Sequence, residues 1–228
     1  MDLVRGVRSR EAQLHRSARA APARPPRGCP TPDVTTLRAL SGLPSAPAQL
    51  ADSTLIMIDF QNTYTRGPLE LDGVTRAIEE GATLLDRARS AGIPVVHVQH
   101  DGGEGSPYDI RAEIGAIAGP VAPREGETVI VKNHPNSFIG TDLDERLKAS
   151  GAKNLVLAGF MTHMCINSTA RGAFNLGYAP AVVAAATATR PLPVTGEVVS
   201  AAALQIASLA ALADIFAIVV PDSTALAD

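Results

Sequence analysis

Six short apolar runs recur along the chain from about residue 53 onward, and none shows the strict alternation of a strand with one wet face. Continuous apolar runs of this length mark strands buried on both faces, the condition of a parallel sheet enclosed by helices. They fall at 54–58, 94–99, 128–132, 154–158, 181–185 and 215–220. Segments with helical periodicity lie between them at 74–91, 142–149, 164–176 and 201–213. Gly92, Gly151 and Gly177 stand just past the first three, where a helix ends best on a residue free to turn left-handed. This alternation predicts an α/β fold: a three-layer, doubly wound, mainly parallel sheet of about six strands with right-handed crossovers. One connection breaks the pattern. Residues 99–127 form a long link rich in Gly and Pro, and such loops carry function or move.

Composition changes the picture only at the N-terminus. Residues 1–50 read as an Arg-, Ala- and Pro-rich extension without hydrophobic periodicity and are expected to be disordered, with the folded domain proper at 51–228. Seven arginines against Asp2 and Glu11 up to residue 31 leave 13 basic and 21 acidic residues in the remainder, a balance near −8. An arginine-rich leader fits a transit peptide, a patch for nucleic acid or anionic lipid, or a misassigned start; the last, or plain disorder, is the expectation adopted, with neither nucleic acid nor membrane as partner. Of 228 residues 46% are hydrophobic, ordinary for a globular core. Cys29 and Cys165 lie in segments of different character, which argues against a disulfide framework and for a cytoplasmic protein. No apolar run approaches the ~20 residues of a membrane span.

Ligands of open parallel sheets bind beyond the carboxyl ends of the strands, which directs attention to the reactive residues there. Asp59 follows Leu55-Ile56-Met57-Ile58, Lys132 ends Thr128-Val129-Ile130-Val131, and Cys165 lies in the turn after Leu155-Val156-Leu157-Ala158. Each has an unremarkable reading: Asp59 as a cap, Lys132 as a solvated strand end, Cys165 as a buried small hydrophobe. A carboxylate, an ammonium and a thiol at three strand ends can instead converge on one pocket. At the start of a helix, the thiol would have its thiolate form favoured by the positive end of the helix dipole and by a nearby cation, lowering its pKa.

Leu55-Ile56-Met57-Ile58-Asp59-Phe60-Gln61-Asn62, Lys132-Asn133-His134-Pro135-Asn136-Ser137-Phe138 and Gly159-Phe160-Met161-Thr162-His163-Met164-Cys165 resemble, in order and spacing, the three signatures of the isochorismatase-like cysteine hydrolases. The likeness runs from about residue 53 to 220. It implies Cys165 as nucleophile, Asp59 as the base that takes its proton, and Lys132 as the supporting cation. It further implies an oxyanion hole from the backbone N–H groups of Met161 and Cys165, with a cis peptide between Phe160 and Met161. The family contains vinyl-ether hydrolases, nicotinamidases and amidohydrolases. The vinyl-ether enzymes that resemble siderophore and phenazine hydrolases commonly lack this cysteine, so its presence favours attack on an acyl carbon of an amide, lactam or carbamoyl compound through a thioester. The run Gln99-His100-Asp101-Gly102-Gly103-Glu104-Gly105-Ser106-Pro107 looks similar to streptothricin hydrolase, and an acidic body would suit its cationic lactam. Vinyl-ether hydrolysis, nicotinamide hydrolysis and a catalytically silent binding module remain as alternatives.

Nicotinamidases carry an Asp-x-His metal pattern that His97-Val98-Gln99-His100-Asp101 does not reproduce. No metal or other cofactor is therefore expected, although His100, Asp101 and His134 form a conceivable divalent set. Gln61, Phe138, Phe160, Thr162 and His100 are the substrate-contact candidates, with Tyr64 and Tyr108 near the mouth. The resemblance implies a homo-oligomer acting on a small molecule.

Overall fold

A computed structural model describes residues 34–228, of which Thr35–Asp228 form one compact unit. The first element of the described residues is a short helix, α1 (Leu37–Leu40), and the chain enters the sheet at β1 (Ser53–Ile58). It continues through α2 (Val74–Ser90), β2 (Val95–His100), β3 (Thr128–Lys132), α3 (Leu143–Ala149) and β4 (Asn154–Phe160). After β4 come α4 (Asn167–Asn175), β5 (Ala179–Ala188), a hairpin of β6 (Leu192–Val194) and β7 (Glu197–Val199), α5 (Ala201–Ala213) and β8 (Ile218–Val220). The main sheet has six strands in the order β3-β2-β1-β4-β5-β8, with every neighbouring pair parallel. The α/β, doubly wound expectation is met.

Two apolar cores sandwich this sheet. On one face α2 contributes Val74, Ala77, Ile78, Leu84, Leu85 and Ala88 against Leu55, Met57 and Val156. On the other, Leu143 and Leu147 of α3, Ala170 and Ala173 of α4 and Leu212 of α5 cover Ile56, Ile58, Leu155 and Leu157. Alternate residues of β1 and β4 thus feed opposite cores, which is why both strands read as unbroken apolar runs. Strand order reverses between β1 and β4. A doubly wound sheet leaves its crevice at this switch point, because the crossovers on either side depart to opposite faces.

Several expectations shift. The boundary of the folded body moves from 51 to 35: Arg38 donates through Nε to the Pro44 carbonyl at 2.7 Å and through Nη1 to that of Ile215 at 2.6 Å. Leu50 is fully buried, with its N–H on the Ala227 carbonyl at 2.7 Å. The rest of the proposed extension, up to residue 33, lies outside the described residues, as does Cys29. The hairpin Leu192–Val199 was not legible because each arm is only three residues long. The helix expected over 164–176 begins as a π-turn, Thr162–Ile166, before α4. The alanine-rich α5 buries Ala201, Ser208 and Leu212 and leaves Ile206 70% exposed. Among the described residues no helix is long and apolar enough to cross a membrane.

Candidate active site

The three signature residues meet at the switch point. The Asp59 N–H continues the β1–β2 ladder by donating to the Val98 carbonyl at 2.8 Å, and the residue then turns left-handed, φ 51°. Aspartate tolerates that conformation better than most residues. Lys132 ends the edge strand β3, level with His100 at the end of β2. Its long side chain crosses the end of β2 and places Nζ 2.7 Å from Asp59 Oδ2. The same ammonium lies 3.4 Å from Cys165 Sγ and 3.3 Å from His100 Nδ1. The Asp59 contact is an ion pair, whereas sulfur and imidazole are within hydrogen-bond reach; an ammonium has protons to give and no lone pair, so His100 Nδ1 is its acceptor.

Glycine at 159 brings the turn carrying Cys165 to this position. Its φ is +130°, and a Cβ there would stand 1.8 Å from the Ile58 carbonyl oxygen. Only a residue without a side chain lets the end of β4 pass so close to β1, and the β4–β5 register shifts between Leu157 and Gly159. The Phe160–Met161 peptide is cis, as the resemblance implies. Cys165 is the fourth residue of the π-turn Thr162–Ile166, in which the Met161 carbonyl accepts from Met164 N at 3.0 Å and Ile166 N at 3.2 Å. Such π-turns are frequent at functional sites.

Burial dominates the electrostatics. Asp59 and Lys132 are fully enclosed and Cys165 is 4% exposed. Burial holds the Asp59 carboxyl above the usual carboxylate range despite the opposing pull of Lys132. The Cys165 thiol is pushed up, first by burial and then by the Asp59 charge, which together outweigh Lys132. This corrects the expectation of a lowered thiol pKa: the cation is present, but its charge is shared with a carboxylate in a dry site. His100 is held below the ordinary histidine range, by burial and then by Lys132, in agreement with a neutral ring.

The substrate-contact candidates divide. Gln61 is fully buried and its amide is committed: Nε2 donates to the carbonyls of His100 at 2.9 Å and Gly115 at 2.8 Å, while Oε1 accepts from His100 N at 3.0 Å. Both of its N–H groups are used, so it is a clamp between β1, β2 and the long link. Phe160 is fully buried against Phe60 at 4.8 Å and Tyr64 at 5.7 Å between ring centroids, a core residue under the site. Phe138 stacks on Tyr178 at 5.9 Å and joins the core beneath α3 and α4. His100 and Tyr108, edge to face at 5.0 Å, are half-buried beside Lys132. Thr162 is fully buried with its hydroxyl unpartnered.

The conceivable metal set is not assembled. Among the described residues no three His, Cys, Asp or Glu side chains are grouped to hold an ion. The Asp101 carboxylate instead caps Gly103 N at 2.9 Å and pairs with Arg111 at 3.3 Å.

The Isochorismatase domain matches residues 53–221. A secreted isochorismatase effector of Verticillium dahliae, Isc1, is 35% identical over 184 residues, covering 80% of this chain and 95% of that protein. YddQ, an uncharacterized isochorismatase family protein of Bacillus subtilis, is 41% identical over 170 residues, 73% of this chain and 94% of its own length. Streptothricin hydrolase of Streptomyces noursei is more distant, 31% identical over 63% of this chain and 52% of that enzyme. Maleamate amidohydrolase of Pseudomonas putida is 36% identical over 57% of this chain and 68% of that enzyme. The crystal structure of an isochorismatase from Pseudomonas putida superposes with a TM-score of 0.82 at 39% identity, over 85% of this chain and 99% of the other. Because the match runs from the first strand of the sheet to the last, and the solved relative shares the fold over nearly its whole length, the chain belongs to the isochorismatase family.

Proposed function

We propose that the protein is a cysteine-dependent hydrolase that cleaves a C–N bond of a small amide, lactam or carbamoyl compound through a thioester. One observation carries the reading: the buried Lys132 ammonium touches both the Asp59 carboxylate, at 2.7 Å, and the Cys165 sulfur, at 3.4 Å. A thiol, a base and a cation to balance the anion passed between them are the parts that nucleophilic acyl transfer needs. The relatives named as streptothricin hydrolase and maleamate amidohydrolase lend support.

In this mechanism Cys165 waits as a thiol, since a thiolate beside Asp59 would put two anions in a dry site. Sulfur attacks the carbonyl carbon as Asp59 accepts the thiol proton, so negative charge moves from the carboxylate to the substrate oxygen. The backbone N–H groups of Met161 and Cys165 receive that oxygen, and each such donor is worth roughly 3 kcal/mol in the transition state. Collapse breaks the C–N bond, and Asp59 gives its proton to the departing nitrogen. Water, deprotonated by Asp59, then attacks the thioester carbon; the acid leaves and the sulfur recovers a proton. Lys132 stays charged throughout, and no step is assigned to a cofactor.

A second reading, hydrolysis of the isochorismate vinyl ether, is favoured by the name carried by the Verticillium relative and the solved Pseudomonas protein. A streptothricin-type lactam is the narrower C–N candidate. Asp101 and Asp109 are both paired with Arg111, at 3.3 and 2.7 Å, which leaves less free acidic charge for a cationic substrate than the sequence suggests. The deciding experiment is a panel of small amides, lactams, carbamoyl compounds, nicotinamide and isochorismate, run on wild type, Cys165→Ala, Asp59→Asn and Lys132→Met. Loss of C–N hydrolysis by at least about 10³-fold in kcat is expected for each variant. Isochorismate cleavage that survives Cys165→Ala unchanged establishes the second reading and rejects the first.

A further inference from the structure

The amino ends of β4 and β5, at the far side of the sheet from Cys165, border a cavity of about 450 Å³ that takes no part in the chemistry above. Leu43, Pro44 and Pro47 form one wall; Phe174 at the end of α4, Tyr178 before β5 and Ile218 of β8 form the other. Apolar-walled cavities of roughly 300–1,000 Å³ are the usual setting of small-molecule sites. Pro44, Pro47 and Pro180 each fix a backbone φ through the ring, so the walls stand preformed. A smaller hollow of about 210 Å³ adjoins the first and shares Arg38, Leu43 and Ile218 with it.

Among the described residues, Arg38 is the only charged one that lines either hollow. It is 8% exposed, and no carboxylate of the described residues lies within ion-pair distance of it. Asp214 is close by, since Arg38 N donates to its backbone carbonyl at 2.6 Å, but its carboxylate accepts instead from Leu37 N at 2.8 Å. Burial lowers the Arg38 pKa with no anion to raise it again. A guanidinium carries five N–H donors, and the bonds to the Pro44 and Ile215 carbonyls use two. Nη2 has no partner among the described residues and is not sealed in, so it opens on the hollows that Arg38 lines. Other polar donors of the larger cavity are engaged: the Tyr178 hydroxyl donates to Asp144 Oδ1 at 2.7 Å, and Asn154 Nδ2 to the Asp52 carbonyl at 3.0 Å.

A buried cation without a counter-ion, walled by hydrocarbon, is complementary to an anion with an apolar body. The preceding chain suits it badly, with seven arginines against Asp2 and Glu11 up to residue 31. We propose that this cavity is a second ligand site, which takes a small apolar monocarboxylic acid, its carboxylate on Arg38 and its hydrocarbon body against Pro47, Phe174 and Ile218. The site stands on the fold alone and is independent of the reaction at Cys165.

The test is calorimetry on the full chain, comparing octanoate and phenylacetate with octanol and phenylethanol, alcohols of the same skeleton that hydrolysis does not consume. The better acid is expected to bind about 10- to 100-fold tighter than its alcohol, the worth of a charge-assisted contact. Arg38→Gln should bring that ratio to near one. Because Arg38 also ties residues 35–50 to the segment before β8, circular dichroism establishes whether this variant is folded, and Ala48→Phe tests the same cavity with Arg38 in place. Filling the cavity with the phenyl ring should weaken acid binding at least about 10-fold. Any of four results overturns the site: acids that do not bind wild type, acid and alcohol that bind alike, a preference kept by folded Arg38→Gln, or acid binding undiminished in folded Ala48→Phe, which would put the acid elsewhere.

Discussion

At Cys165 the decisive quantity is dielectric, not distance. A cation 3.4 Å away would make an exposed thiol acidic, yet here the same cation is 2.7 Å from a carboxylate and the whole group is dry. The buried ensemble tolerates one anion, and Asp59 holds it. Iodoacetamide alkylation of the free protein should therefore be slow near neutrality and still be climbing at about pH 10, where an unperturbed thiol, half-ionised near pH 8.5, would have levelled off. Rapid labelling of Cys165 at about pH 6 would show a preformed thiolate and contradict the proton position assigned here. Lys132→Met should slow labelling further, because it removes the charge that favours the anion. At this scale the sequence was informative about which residues converge and misleading about the charge state of the thiol, since desolvation depends on neighbours brought from β1, β3 and the loops.

The element that closes the site is the long link between β2 and β3. Its length and glycine content marked it as unusual, and the structure shows it fastened to β1 through Gln61. The clamp spans the Gly115 carbonyl and both backbone groups of His100, whose ring accepts from Lys132. Gly115 itself admits no side chain, as a Cβ would lie 2.3 Å from the Asp109 carbonyl oxygen. Replacing Gln61 with Leu strands the His100 N–H and carbonyl, at about 1–3 kcal/mol each when unsatisfied, while the Gly115 carbonyl keeps its bond from Gln99 Nε2 at 2.8 Å. The expected result is a loss of about 2–4 kcal/mol in urea unfolding. A drop of about 10- to 100-fold in kcat with a smaller change in KM should accompany it, as His100 and Lys132 lose their fixed positions. Reduced stability with kcat intact would make Gln61 a purely structural clamp. Gln61 read as a substrate contact from sequence because it follows Asp59 directly; its amide is in fact spent on chain segments 39 and 54 positions away.

Across the molecule, the body is anchored at the opposite end of the sheet by a second charged cluster. Arg89 Nε and Nη2 bind Glu127 at 2.7 and 2.8 Å, Arg124 N donates to the same carboxylate at 2.8 Å, and buried His97 lies 3.0 Å from it. The Arg89 guanidinium, ahead of the backbone and His97 contacts, pulls the Glu127 pKa down to about 2. A folded-state pKa below the unfolded value, about 4.3 for Glu, gives stability that is complete above that value and lost as pH falls through it toward 2. Glu127→Gln should thus cost about 1–3 kcal/mol near neutral pH, and the gap from wild type should shrink as unfolding is measured toward about pH 3. A gap independent of pH would mean that packing, not charge, accounts for the residue.

The sequence by itself determined the main elements and the strand ends at which the three signature residues stand. Apolar runs without alternation could only be strands covered on both faces, the glycines after the helices fixed where three of them stop, and Asp59, Lys132 and Cys165 stood at strand ends by their place in the chain. These are local properties, set by side-chain periodicity and backbone sterics, and they survive without knowledge of what lies opposite. Only the tertiary structure decided that residues 35–50 belong to the body, and that Gln61 is committed to a clamp and Phe160 to the core. Each of those depends on contacts between segments far apart in sequence, and on how much water the folded chain leaves around a charge.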